Sequence, residues 1–223
     1  SEPGRKYFVV GLKIGTSNEK TVMVYEYVYK DEQYSLATHF MQKCSEFVVY
    51  DLDVNRRDEI ILLHDGTSEQ SLTPEAQMYS FMNGKFESHA GGGIEMDADV
   101  ASYVNVFSGD LDENTPALFV DAQRKDGAYG TEILAVINGQ LRNLVKENNL
   151  QSKTIRLQGL SAHDQEGDGN FSIPHEQVLP GQPRIDRADS SYSAPYFLRW
   201  YQYDLGTNDF QERELTYTNS RLG

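Results

Sequence analysis

Three acidic stretches hold most of the side chains that could do chemistry: Asp51-Leu-Asp-Val-Asn-Arg-Arg-Asp-Glu59, Asp110-Leu-Asp-Glu-Asn114 and Asp164-Gln-Glu-Gly-Asp-Gly-Asn-Phe-Ser172. Oxygen-bearing side chains at alternate positions of a tight loop suit a hard cation such as Ca2+, which collects oxygen ligands. In the first stretch the candidate ligands are the side chains of Asp51, Asp53, Asn55 and Glu59, with the carbonyl of Arg57 between them. The third offers Asp164, Glu166 and Asp168, the carbonyl of Asn170, and Ser172, which stands where a carboxylate would close the loop and would act through a water. The middle stretch runs from Asn114 into Thr-Pro-Ala-Leu with no closing acid, which predicts a structural turn without metal. Asp and Asn also cap ordinary β-turns with no ion, so a metal-free turn is the alternative for every copy. An EF-hand is excluded: its bidentate Glu would fall at Leu62 or His175, and both loops are flanked by strand signals instead of helices.

Other reactive residue types form no recognisable constellation. His39, His64, His89, His163 and His175 lack the spacing of a zinc helix and have no cysteine partners, and they read as surface or turn histidines. No serine-hydrolase elbow, phosphate-binding glycine loop or dinucleotide fingerprint occurs. Glu95, Asp97 and Asp99 could form an acid pair, but the pattern fits a solvated strand end better. The single Cys44 excludes an internal disulfide and reads as a packed thiol. In Tyr196-Phe-Leu-Arg-Trp-Tyr-Gln-Tyr203, alternation puts Trp200 on one face and Tyr201 and Tyr203 on the other, a pattern more typical of inter-sheet packing than of a sugar platform.

The elements that must position the acidic loops are strands. Runs such as Tyr7–Ile14, Thr21–Tyr29, Phe47–Tyr50, Glu59–Leu63, Ala76–Met82, Ser102–Phe107, Ala117–Val120 and Thr131–Ile137 are rich in β-branched and aromatic residues. Asn83-Gly84 and Asn138-Gly139 signal type I′ hairpins, and Lys30–Gln33 and Leu205–Asp209 hold equivalent places. Only residues 138–149 also fit a helix, and strand is preferred there. The acidic stretches recur roughly every 55 to 60 residues, which points to a repeated unit. The expected fold is therefore all-β and β-propeller-like, one domain of about four serial four-stranded units near residues 1–45, 46–101, 102–155 and 156–223, the first incomplete.

The first loop, with Asp51, Asp53, Asn55 and Glu59 followed at once by an apolar strand, resembles the FG-GAP or VCBS calcium repeats of integrin-like β-propellers. Arg56 departs from that pattern, which usually has Gly at the bend. With Phe119-Val-Asp-Ala122, Ile173-Pro174 and the Tyr196–Tyr203 strand, the whole chain resembles exported, often lipid-anchored VCBS-repeat proteins of Gram-positive bacteria. The resemblance implies structural Ca2+, an extracellular, cell-surface location through a lipid anchor outside this sequence, and no particular activity.

Composition agrees with such a role. Twenty basic against 34 acidic residues give a net charge of −14, which opposes nucleic acid and anionic lipid as partners. No apolar run is long enough for a membrane helix. The start, Ser1-Glu-Pro-Gly-Arg-Lys-Tyr7, reads like a mature or trimmed form. The expectation is a non-catalytic binding module for a protein or carbohydrate ligand. Two alternatives are a polysaccharide-active enzyme using channel carboxylates and an architectural domain of a longer lipoprotein.

Overall fold

A computed structural model describes residues 6–16, 19–28, 33–67, 71–89, 92–157, 159–165, 167–178 and 196–213. The Lys30–Gln33 turn, all but Gln33, and the long polar stretch 186–193 lie outside these residues.

The chain is all-β, and the described residues form four antiparallel sheets in sequence order, none of them closed. The first contains β1 (Lys6–Lys13), β2 (Lys20–Val28) and β3 (Gln33–Cys44). The second contains β4 (Glu46–Tyr50), β5 (Glu59–Asp65), β6 (Pro74–Met82), β7 (Lys85–Ser88) and the short β8 (Ile94–Glu95). The third is β9 (Val100–Asp112), β10 (Thr115–Arg124), β11 (Tyr129–Ile137) and β12 (Gln140–Asn143). The fourth is β13 (Ile173–Val178), β14 (Tyr196–Asp204) and β15 (Asp209–Arg213). Among the described residues the sheets hold three, five, four and three strands, where the sequence predicts four-stranded units with the first incomplete.

Three apolar seams join the sheets in series. Val22, Val24, Phe40 and Cys44 of the first sheet pack on Ile60 and Leu62 of β5. The opposite face of β5, Ile61 and Leu63, packs with Leu118, Val120 and Leu134 of the third sheet. Ala117, Phe119, Ile133 and Ala135 then meet Ile173, Tyr203 and Phe210 of the fourth. Strands β5, β10 and β11 are consequently buried on both faces, which is why they read as continuous apolar runs and not as alternation. Each of these fully buried aliphatic side chains contributes about 1.5–3 kcal/mol of transfer free energy.

The Asn-Gly turns form as expected, with positive φ at Asn83, Gly84, Asn138 and Gly139. Residues 138–149 divide between the two readings: β12 ends at Asn143, whose side chain caps the one-turn helix α1 (Leu144–Glu147) by accepting the Lys146 N–H at 3.1 Å. Cys44 is fully buried, and desolvation pushes its thiol up to about 12, so it is packing and not a nucleophile. His64 corrects the surface reading of the histidines. It lies in β5 with 3 % exposure, and burial holds its imidazole below the usual range. On the outer side of the first sheet Phe8, Leu12, Tyr34, Leu36 and Met41 are exposed apolar or aromatic side chains.

Candidate metal centre

The first acidic loop connects β4 to β5, and its two ends, Tyr50 and Glu59, are register partners. Leu52 anchors it by inserting into the seam between the second and third sheets, where it is 1 % exposed. Because Asp51 and Asp53 flank that anchor, both carboxylates are left on the loop side, half-buried. Glu59 begins β5 and is fully buried. The carboxylates of Asp51, Asp53 and Glu59 converge, each giving an oxygen so that all lie within 4.8 Å of one another. That spacing matches one Ca2+ sphere, since oxygens about 2.4 Å from the ion on opposite sides are about 4.8 Å apart.

Backbone amides shape the bend. Asn55 N–H lies 3.0 Å from Asp51 Oδ1 and 3.1 Å from Asp53 Oδ1, and Arg56 N–H donates to Asp51 Oδ2 at 2.8 Å. The chain curls by left-handed conformations at Val54 (φ 60°) and Arg56 (φ 66°). Neither is glycine, so the curl is held against local sterics. Asn55 Nδ2 donates to Asp53 Oδ2 at 2.8 Å. Its Oδ1 therefore remains as the acceptor available to a cation.

Glu59 is the informative member. One oxygen, Oε2, accepts the Leu52 N–H at 3.0 Å, while Oε1 is buried without a hydrogen-bond partner. Burial first, then the Asp53 and Asp51 charges, push this carboxyl up to about 7, with the Leu52 and Asp53 amides offsetting part of the rise. A buried carboxylate oxygen with no donor, beside two further carboxylates, is costly unless a cation or proton occupies the space between them. Such a donor set of hard oxygens fits Ca2+.

The third loop shares the local geometry. Asp164 accepts the N–H groups of Gly167 at 2.7 Å, Asp168 at 3.2 Å and Gly169 at 2.9 Å. Asp168 accepts both the backbone and side-chain N–H of Asn170, as Asp53 does with Asn55. Glu166 lies outside the described residues. Ser172 is buried and pairs through its backbone with His163. Arg213 stands 3.8 Å from Asp168 Oδ2, supplying positive charge from the protein itself. Among the described residues only the first loop brings three carboxylates together.

The middle stretch is not a loop of the same kind. Asp110 and Asp112 belong to β9, and the turn is confined to Glu113 and Asn114, with Asp112 Oδ1 accepting the Asn114 N–H at 2.9 Å. Asp110 instead docks on the third loop, donating its N–H to Gly169 O at 3.0 Å. No property of the sequence periodicity separates a strand that runs on through its acids from one that stops before them.

The acid set Glu95, Asp97 and Asp99 is engaged by cations. Arg124 bridges Asp97 and Asp99, and Lys146 pairs with Glu95 at 2.8 Å. Tyr203 is 2 % exposed with Tyr201 packed beside it, so that face of β14 is inter-sheet packing. Sequence reasoning missed a buried polar clamp. Arg156 is fully enclosed and donates to Asp121 Oδ1 at 2.9 Å, Thr131 Oγ1 at 2.8 Å, Thr154 O at 3.0 Å and Leu160 O. It also missed Glu132, which accepts the Asp97 N–H at 2.5 Å and the Asn143 amide and is pushed up to about 7 by burial. Comparison with known proteins finds no matching family model, no matching curated protein and no matching solved structure.

Proposed function

We propose that this chain is a calcium-braced binding module whose four sheets form part of a propeller-like array, related to the FG-GAP and VCBS calcium repeats. The observation that carries the reading is Glu59 Oε1, buried and unpartnered beside Asp51 and Asp53. A Ca2+ there is held by Asp51, Asp53 and Glu59, with Asn55 Oδ1 and the Arg57 carbonyl as further oxygens. It neutralises three converging charges and fastens the start of β5, the strand buried between two seams. The metal is structural: the engaged state of Asp97, Asp99 and Glu95 favours binding over acid–base catalysis. The third loop is a weaker second site through Asp164, Glu166, Asp168, Asn170 and Ser172. An interaction role is supported by the exposed apolar face of Phe8, Leu12, Tyr34, Leu36 and Met41, which is of a kind that marks contact surfaces. The cell surface of a Gram-positive bacterium is the proposed setting.

Thermal unfolding in millimolar Ca2+ against chelator tests this reading, because a ligand of the native state alone raises stability by mass action. A Tm that rises with Ca2+ in the natural protein and stays fixed in Asp51→Ala supports it. A Tm indifferent to Ca2+ and chelator refutes it.

A further inference from the structure

We infer that the seam beside the calcium loop is a binding site for a small organic acid with a single flat apolar or aromatic body. A cleft of about 220 Å3 opens between the first and second sheets, lined by Tyr7, Val9, Val49, Ile60, Phe81 and Phe86 and by the exposed loop residues Arg56, Arg57 and Asp58. Its volume lies below the ~300–1,000 Å3 usual for drug-sized ligands, which limits the occupant to about one ring and a short acid arm. Three of the rings already form a cluster. Tyr7 and Phe81 lie 5.0 Å apart, Phe81 and Phe86 5.1 Å, and Tyr7 and Phe86 meet edge to face at 6.1 Å. Such a wall favours a flat apolar body.

The charge at its edge selects the other end of the ligand. In a chain with net charge −14, the described arginines 124, 142, 156, 199 and 213 each pair with a carboxylate. Arg56 and Arg57 form no ion pair among the described residues, although Asp58 follows them directly. Arg56 also occupies a left-handed position, φ 66°, that glycine takes freely and a side chain takes against steric crowding. Two uncommitted guanidinium groups beside an aromatic wall match a carboxylate, which accepts paired N–H donors in a planar fork. The loop that carries both arginines is the one the cation fixes, so ligand and Ca2+ should assist one another.

This inference deepens the binding-module reading and rests on it. The test uses the intact chain in saturating Ca2+, with 3-phenylpropionate as probe and 3-phenylpropan-1-ol as its neutral counterpart, followed by saturation-transfer NMR and titration. The acid should bind about tenfold or more tightly than the alcohol, the difference a charge-assisted pair supplies. Arg56→Gly combined with Arg57→Gln should erase that preference, and glycine suits the left-handed bend at position 56. Phe81→Ala should weaken both probes. Equal binding of acid and alcohol, binding of neither, or an unchanged acid preference in the double arginine variant overturns the inference. Asp53→Asn separates the two readings. A Ca2+ response of Tm that Asp53→Asn abolishes, with no acid binding, removes the cleft alone, and acid binding in a protein whose Tm is indifferent to Ca2+ and chelator removes the metal reading alone.

Discussion

Tyr50 and Glu59 face each other across the last rung of the β4–β5 ladder, so the whole acidic loop hangs from one paired position. The buried Leu52 between them pins its inner side. Glu59 is thereby fixed by the fold itself, so a cation bound at the proposed site would meet a largely preorganised set of oxygens.

Glu59→Gln should reverse its effect with conditions. In chelator at pH 8 it removes a buried charge and leaves the chain as stable as the natural one or about 1 kcal/mol more stable. In excess Ca2+ the natural protein gains about 2.7 kcal/mol at a hundredfold excess over Kd, and should then be the more stable of the two by about 1.7–2.7 kcal/mol. Urea unfolding in both buffers measures the crossing. A variant that is equally destabilised in each would assign Glu59 only to the Leu52 N–H.

The Arg156–Asp121 clamp fastens the segment leading to the fourth sheet onto the third, because Arg156 also reaches Leu160 O and Asp121 accepts the Ala162 N–H at 3.3 Å. Arg156→Met alone should cost about 3–5 kcal/mol by leaving Asp121 buried and uncompensated. Adding Asp121→Leu should recover part of that loss. Chemical denaturation of the two single variants and the double variant gives the coupling, and strict additivity would contradict a shared clamp.

The Glu132 contribution to stability should fall as pH rises from about 4.5 to about 7, while His64 and His175, held below their usual range by burial, act in the opposite direction. Glu132, buried and pushed up to about 7, holds its proton in the folded state while the unfolded chain releases it near 4.5. Between those values the folded state binds more protons, so each increment of pH favours unfolding, and above about 7 the effect is constant. The loss is on the order of 1–3 kcal/mol. In chelator Glu59, also pushed up to about 7, acts in the same direction. Urea midpoints at pH 5 and 8, compared between the natural protein and Glu132→Gln, isolate this contribution, and the variant should gain stability relative to the natural protein as pH rises. An unaltered slope in that variant would discharge Glu132 from the role.

Much of the sheet order was legible because β5, β10 and β11 concentrate Ile, Leu, Val and Phe, and the Asn-Gly turns fix the hairpins after β6 and β11. Strand β3 was not, since Gln33–Cys44 mixes polar and apolar residues and its pairing with β2 is interrupted between Met23 and Tyr25. The convergence of Asp51, Asp53 and Glu59 could be anticipated from spacing within one loop. The Arg156–Asp121 pair could not, because its partners are 35 residues apart and meet only when β10 and the stretch after α1 are folded together. Asp110 misled for a related reason: a repeated acid marks a position in the chain, while the end of a strand depends on its neighbour's register.

Calcium titration calorimetry on the metal-stripped natural protein beside Asp53→Asn and Glu59→Gln tests the central claim most directly. The account predicts saturable Ca2+ binding with proton release near neutral pH in the natural protein, and loss of the tightest site in both variants. Absence of saturable binding, or a tightest site that survives both substitutions, would contradict it.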